Sequence, residues 1–511
     1  MRSRKAFFNI GSALALQLSL IFCGFVITRL YINHFGSAIY GMTASISQFL
    51  GYIALAEAGV GGVIRAALYK PLADENKDKI SGIVKAMGRF FRVIAIIFSG
   101  YALVIAAFFP LLGQSGMDWE FTFSLVLIIA TSTFVEYFFG ITNSVLLQAD
   151  QRQYLSSVLR TITTLLNLLV VIALIRLGSS IHVVKLFTSL VFMIRPFVLS
   201  FYVRKRYRID RLCQPDNNAI KQRWDGLGQH IAFFFHTHTD VVVLTLFTNF
   251  IEVSVYSVYN LVASGIQSFA MIFTNGFEAA FGNMLAKNET TALNRNFRIY
   301  ELISSSVTVI LFTTAGLMLS PFITLYTRGV TDADYHREVF AFLLLLAGAL
   351  YCIRQPYHSL IIAAGHFRQT NKYAFLEVGL NIFLSVILVF RFGIVGVVIG
   401  TLVAVTYRTI FSAFYLKRNI LFRNVRIFIL RQVVSIATST LIVMIVCFFI
   451  PVTTFDSYVI WGVYVVLFLL IACGVTLLIN IIFYREDVRN MLAVIKTFFS
   501  SKKLLSYSKN D

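Results

Sequence analysis

Tyr154–Lys205, YLSSVLRTITTLLNLLVVIALIRLGSSIHVVKLFTSLVFMIRPFVLSFYVRK, and Tyr373–Arg418, YAFLEVGLNIFLSVILVFRFGIVGVVIGTLVAVTYRTIFSAFYLKR, are two copies of one pattern. Each opens on a tyrosine and passes an asparagine (Asn167, Asn381). Each then turns at Arg176-Leu-Gly178 or Arg391-Phe-Gly393, carries one arginine (Arg195, Arg408), and reaches Phe201-Tyr202 or Phe414-Tyr415. The copies close on Arg204-Lys205 and Lys417-Arg418. The preceding turns match, Gln148-Ala-Asp-Gln-Arg-Gln153 beside Ala363-Ala-Gly-His-Phe-Arg-Gln369, and Ala38-Ile-Tyr-Gly41 echoes Val253-Ser-Val-Tyr256. The interval is about 215 residues, and an apolar repeat of that length predicts two pseudo-equivalent helix bundles with a transport pathway where the repeats meet.

Composition places the chain in a membrane. It is 58% hydrophobic and 13% charged, with 50 Phe, 23 Tyr and only 7 Pro, and its mean hydropathy is +0.78. A soluble surface cannot be wetted with so few polar side chains. The apolar runs last about 20 residues, a length over which only a helix satisfies its own backbone. Barrel strands would be half as long and would alternate. The net charge of +20 would suggest nucleic acid in a soluble chain. Here the basic residues sit in alternate loops, so the charge reads as membrane topology and no nucleic-acid partner is expected. Cys23, Cys213, Cys352, Cys447 and Cys473 show no paired or metal spacing, so neither disulfide nor metal is assigned. Arg2-Ser-Arg-Lys5 before an apolar run resembles a signal-peptide start, but no convincing cleavage site follows, and it reads as an uncleaved first span.

The predicted fold class is all-α, a polytopic helical membrane protein. Its spans lie at 8–32, 39–67, 90–112, 120–146, 156–176, 182–202, 230–250, 255–285, 299–326, 338–364, 374–391, 394–416, 429–450 and 458–483. The predicted domains are an N-terminal six-helix bundle (1–203), a cytoplasmic linker (204–229), a C-terminal six-helix bundle (230–418), helices thirteen and fourteen outside the repeat (419–484), and a basic tail (485–511). Roughly three quarters of the 44 Lys and Arg fall in the termini and one set of loops. The other loops hold Arg176, Lys185, Arg328, Arg337 and Arg391. That bias puts both termini in the cytoplasm. In the tail, Val488, Leu492, Ile495 and Phe499 recur at helical spacing, a pattern that suits either a helix on an anionic leaflet or a solvated tail.

Chemistry is expected from charges inside the spans, because each costs about 2.5–3.5 kcal/mol at the bilayer centre and needs a partner or a wet cavity. Arg354, beside Gln355-Pro356, is the leading candidate for gripping an anion, since guanidinium forks hold phosphate oxygens bidentately and keep their charge. Arg29 and Arg65 either contact a phosphate or snorkel to headgroups. Arg195 and Arg408 hold matching positions in the two halves and read either as a headgroup port or as inner-face anchors. Glu57 lies mid-span beside Gly59, Gly61 and Gly62, which permit close packing or local unwinding. Asn260, Ser264, Gln267, Thr274 and Glu278 share one face of span eight, as a cavity wall or a hydrogen-bond seam. His236 and Asp240 are four apart and can titrate together, while His238 points the other way. Arg160 and Glu377 occupy nearly equivalent places with opposite charge. No P-loop, HExxH or nucleophile-elbow motif is placed to work, and no segment is large enough for a soluble catalytic domain, so the chain does not read as an enzyme.

The stretch Arg29-Leu-Tyr-Ile-Asn-His-Phe-Gly36, Tyr40-Gly41, Glu57-Ala-Gly-Val-Gly61 and Leu68-Tyr-Lys-Pro-Leu-Ala73, with the turn Ala364-Gly-His-Phe-Arg368, resembles Wzx-type polysaccharide flippases. These belong to the multidrug/oligosaccharidyl-lipid/polysaccharide exporter superfamily. The resemblance covers essentially the whole chain in the order and spacing of its motifs. Many relatives carry Asp where this chain has Glu57. The resemblance implies that spans one, two, seven and eight line a central cavity around Arg29, Glu57, Arg65, His236, Asp240 and Glu278. It implies an undecaprenyl-diphosphate-linked oligosaccharide as substrate, flipped from inner to outer leaflet of a bacterial plasma membrane for O-antigen or related polysaccharide synthesis. It implies no cofactor beyond a coupling proton or Na⁺. The partners it implies are membrane lipids, a polysaccharide polymerase and a chain-length regulator. The rivals are a cation-coupled multidrug exporter of the same superfamily and, from another class, a membrane-embedded polymerase or ligase. The topology is checked with fusions: green fluorescent protein after Asp511 should fluoresce, and alkaline phosphatase fused at Asp456 should be active. The reverse pair of signals inverts the orientation.

Overall fold

The computed structural model describes residues 2–57, 60–112, 118–210, 213–216, 227–272, 277–421, 423–450 and 455–493. The side chains at 2–4, 6, 7, 227–230, 232, 233, 236, 237 and 279 are also outside that description. The described chain is helical and holds no strand. It runs α1 (Arg2–Phe35), α2 (Ser37–Gly51), α3 (Ala54–Glu57), α4 (Val60–Ala73), α5 (Lys77–Phe108), α6 (Trp119–Val135), α7 (Ile141–Ala149), α8 (Gln153–Arg176) and α9 (Ile181–Tyr207). There follow α10 (Leu227–Phe247), α11 (Phe250–Ile272), α12 (Phe277–Ala286), α13 (Thr290–Tyr326), α14 (Glu338–Ala363), α15 (Phe367–Phe392), α16 (Ile394–Asn419), α17 (Val425–Phe449) and α18 (Tyr458–Phe483). A π-helical turn, Glu136–Gly140, joins α6 to α7.

Among the described residues, twelve helices are long and apolar enough to cross a membrane by length and composition. Helices α10 and α11 stand where spans seven and eight are predicted. The all-α, multi-pass architecture therefore holds. Two expected spans differ in detail. Span two is discontinuous: α2 ends at Gly51, the chain turns at 52–53, and helix resumes at α3, with 58–59 outside the described residues before α4. Span eight is distributed over α11 and α12, with 273–276 outside the described residues. The tail is helical over 485–493, and residues 494–511, with Ile495 and Phe499, lie outside the described residues.

By packing the chain divides into one unit of Met1–Leu261 with Gly329–Ala333 and another of Val262–Arg328 with Asp334–Asp511. This grouping by contact runs through α11 and so differs from a grouping by repeat. The first unit packs around Met42, Ile46, Met87, Phe91, Phe98 and Leu146, all at most 1% exposed. The second has one cluster around Phe281, Phe297, Tyr300 and Leu416. Its other cluster, around Met318, Ile442, Val446 and Phe468, is where α17 and α18 pack on α13. The repeat reappears as packing: α9 folds back on α8 and on α6, and α16 folds back on α15 and on α14. Outward surfaces are apolar where only lipid tolerates it, as at Phe448 (82% exposed) and Ile482 (70%).

Small residues set the closest contacts. A Cβ on Gly41 of α2 would stand 1.7 Å from the Phe250 carbonyl oxygen at the start of α11. A Cβ on Gly396 would stand 2.2 Å from the Leu388 carbonyl oxygen, which lets α16 turn tightly against α15. At the α1–α2 junction Gly36 takes φ +86°, and Asp332 caps the buried start of α2. The Ser37 backbone N–H donates to Asp332 Oδ2 at 2.6 Å and the Ser37 hydroxyl donates to Oδ1 at 2.8 Å. Gly41→Ala should therefore lower the thermal unfolding midpoint in detergent, at a cost of about 1–3 kcal/mol from overpacking. Gly462→Ala, inside α18 where a Cβ meets nothing within 4 Å, should not lower the midpoint and can raise it slightly.

Candidate functional site

A polar side chain in an apolar helix must find its partner on a neighbouring helix, and in each half three consecutive spans supply one. In the second unit Arg354 of α14, Glu377 of α15 and Arg408 of α16 converge. Arg354 Nη1 lies 2.6 Å from Glu377 Oε1, and Arg408 Nε lies 3.8 Å from Glu377 Oε2. Arg408 also donates to the Thr370 carbonyl at 3.1 Å, and the Arg354 guanidinium lies 4.7 Å from the Tyr351 ring centroid. All three are buried, at 7%, 5% and 3% exposure. Helix α14 runs through Pro356 without ending.

The first unit repeats the composition with the signs exchanged. Glu136, in the π-helical turn after α6, lies within electrostatic reach of Arg195 on α9 and Arg160 on α8. Arg195 Nε donates to Thr163 Oγ1 at 2.7 Å. Gly140 makes room for the acid, since a Cβ there would stand 2.8 Å from the Glu136 carboxyl carbon. Each half thus gathers two guanidiniums around one carboxylate, by ion pairs in the second unit and within electrostatic reach in the first. The acid stands on the fourth span of the first half and on the fifth span of the second. This accounts for the opposite charges at Arg160 and Glu377. The two clusters differ in access: Arg160 is exposed and Glu136 and Arg195 are half-buried.

Glu57 extends the first cluster. It lies on α3, against the Tyr137 hydroxyl and near Glu136. Its Oε2 is buried with no hydrogen-bond partner among the described residues. Gly59 lies outside the described residues, and a Cβ on Gly61 meets nothing within 4 Å, so Gly61 does not mark a close helix contact. Arg65, on α4, donates to Gln148 Oε1 on α7 at 2.7 Å. That partner is neutral.

The remaining predicted residues are dispersed. Arg29 is half-buried on α1. Asp240, 4% exposed on α10, accepts from the Tyr256 hydroxyl at 3.0 Å. His236 lies outside the described side chains, and its expected pairing with Asp240 lies outside them too. His238 does point elsewhere: its Nδ1 meets Gln48 Oε1, and its ring stacks on Phe234 at 4.1 Å. Gln267 is half-buried on α11, Glu278 is exposed on α12, and Thr274 lies outside the described residues.

Sequence reasoning missed a third cluster. Glu301 on α13 receives Arg423 Nη1 at 2.7 Å and Arg431 Nη1 at 3.2 Å, and the Tyr357 hydroxyl donates to it. Arg431 Nη2 then reaches Asp487 Oδ2 at 2.9 Å, and Arg298 Nε reaches Asp487 Oδ1 at 2.6 Å. This network ties the helix over 485–493 to α13 and α17. Glu301 and Arg431 lie at span ends, where a charge reads as ordinary topology. Their combined exposure of 3% and 2% is a tertiary fact.

No protein family matches the chain by its sequence profile, and no curated protein sequence matches it. Solved structures do match the fold. The lipid II flippase MurJ in an inward closed conformation aligns with TM-score 0.64 at 15% identity, over 94% of this chain and 100% of that one. An inward-facing multidrug resistance MATE family transporter of the MOP superfamily aligns with TM-score 0.58 at 15% identity, over 80% and 98%. A mutant of the Vibrio cholerae MATE transporter VcmN aligns with TM-score 0.58 at 15% identity, over 83% and 98%. The chain is a multi-pass helical membrane protein with the fold shared by these MOP-superfamily transporters.

Breaking the second cluster strands a buried guanidinium. Glu377→Ala should cost about 3–5 kcal/mol and lower the unfolding midpoint in detergent. Arg354→Glu combined with Glu377→Arg rebuilds the sign order of the first half. It should recover most of the loss suffered by either single variant. A double variant no more stable than the singles removes the pairing as the cause.

Proposed function

We propose that the chain flips a lipid-linked oligosaccharide carrying a diphosphate, of the undecaprenyl-diphosphate type, from the inner to the outer leaflet of a bacterial plasma membrane by alternating access. The carrying observation is the extent of the fold likeness. The alignment with the lipid II flippase covers 94% of the chain, against 80–83% for the two MATE transporters. The difference is the size expected if α17 and α18, the pair outside the repeat, are part of what is shared with the flippase.

The chemistry supports an anionic cargo, with roles redistributed by the ion pairs. Arg354 and Arg408 already share Glu377, so they serve first to hold α14, α15 and α16 together. Arg65, whose hydrogen-bond partner among the described residues is a neutral amide, is the proposed grip for a phosphate. Arg29 is its proposed companion. Glu57, with one carboxylate oxygen unpartnered among the described residues, is the proposed carrier of a coupling proton or Na⁺, and Asp240 and Glu278 are further candidates. The domain bounds at 203, 229, 418 and 484, the cytoplasmic placement of both termini, and a working association with a polymerase and chain-length regulator belong to the same proposal.

Arg65→Ala should reduce surface glycan roughly tenfold or more, while lipid-linked oligosaccharide accumulates on the inner leaflet and the unfolding midpoint stays unchanged. Arg65→Lys should recover part of the flux. Arg354→Ala should lose both flux and thermal stability. Normal surface glycan in Arg65→Ala removes this residue from substrate handling. Resistance to cationic dyes without any glycan phenotype would favour a drug exporter instead.

A further inference from the structure

The two copies of the repeat differ at one end in a way the transport reading does not use. In the first copy the turn between α7 and α8 carries its own acid. Asp150 holds Arg152 Nε at 2.7 Å and Lys5 Nζ at 3.2 Å. The corresponding turn of the second copy, Ala363 to Gln369, has no acid at all. There the start of α15 and the end of α16 enclose an open cavity of about 900 Å³. Its wall includes Arg368, Lys372, Lys417 and Arg418 together with Tyr373 and Phe414, and none of the described residues lining it is acidic. The cavity is far larger than a lone phosphate and falls within the usual range for small-molecule sites.

The surroundings identify the kind of anion. Along the same two helices Phe375, Ile410 and Phe414 are 46%, 45% and 52% exposed, an apolar face that continues from the basic mouth into the lipid-facing side. The Lys372 ammonium stands 4.9 Å from the Tyr373 ring centroid, and Phe411 stacks on Tyr373, so the basic end is braced by aromatics. A basic head on an apolar wall at a helix end matches a molecule with a phosphate and an acyl chain. We propose that this cavity binds the headgroup phosphate of an anionic membrane phospholipid, with an acyl chain laid along Phe414 and Ile410. The proposal rests on the multi-pass membrane architecture and not on the identity of the transported substrate.

The test is native mass spectrometry of the full-length protein in micelles titrated separately with phosphatidylglycerol, phosphatidylcholine, undecaprenyl diphosphate and inorganic phosphate. The unmodified chain should retain phosphatidylglycerol in preference to phosphatidylcholine. Lys372→Gln, Lys417→Gln and Arg418→Gln combined should weaken that retention on the order of tenfold or more. Asn419→Asp should weaken it in the same direction. It places a carboxylate at the cavity while keeping every cation, and so guards against a folding defect in the triple variant. Arg204→Gln with Lys205→Gln, at the equivalent end of the first copy, should leave retention unchanged. Equal retention of the two phospholipids overturns the proposal, as does phosphatidylglycerol binding untouched by both cavity variants. Competition by inorganic phosphate at equal concentration also overturns it, by showing a simple anion site. Selective loss of undecaprenyl diphosphate in the cavity variants would instead assign the cavity to the cargo, and would leave the Arg65 experiment to stand by itself.

Discussion

A charge inside an apolar helix has to be matched by a neighbouring helix, and the two halves of this protein meet that demand with the same three spans. In each, two guanidiniums and one carboxylate are gathered where the fourth, fifth and sixth spans of the half come together. Only the position of the acid differs, Glu136 on the fourth span of one half and Glu377 on the fifth span of the other. Exchanging the sign of both partners preserves attraction, so two related bundles can diverge in this way and keep the same packing.

The first cluster is the looser one. The Glu136 carboxyl lies against Gly140 in a π-helical turn, Arg160 is exposed, and Glu57 on α3 sits next to the group. The second is closed, with Arg354, Glu377 and Arg408 all nearly inaccessible. One half thus holds a closed ionic cluster and the other a more accessible one. The break in span two after α2, at 52–53, lies next to Glu57 on the more accessible side.

The C-terminal elements are fastened by another ionic network. Arg431 links Glu301 to Asp487 and so holds the helix over 485–493 against α13 and α17. Helices α17 and α18 themselves pack on α13 through Met318, Ile442, Val446 and Phe468, and present the rest of their surface to lipid. They are thus integral to the second unit even though they stand outside the repeat.

The architecture was legible in the chain because it depends on local and additive properties. Apolar runs of spanning length can only be helices in lipid, and two copies of Tyr…Asn…Arg-x-Gly…Arg…Phe-Tyr announce two related bundles. The candidate charges were legible too, since any ionisable residue within a span stands out. Their roles were not. Arg354 reads in sequence as an unoccupied anion grip, and in three dimensions Glu377 already occupies it at 2.6 Å. Glu301 and Asp487 read as boundary charges, and the fold buries both. Sequence determined that these helices cross a membrane and where the ions lie along them, because hydrophobic transfer is summed residue by residue. Which ion cancels which was decided only by tertiary structure, because Coulomb attraction and hydrogen bonding depend on distances between helices that no single stretch of chain encodes.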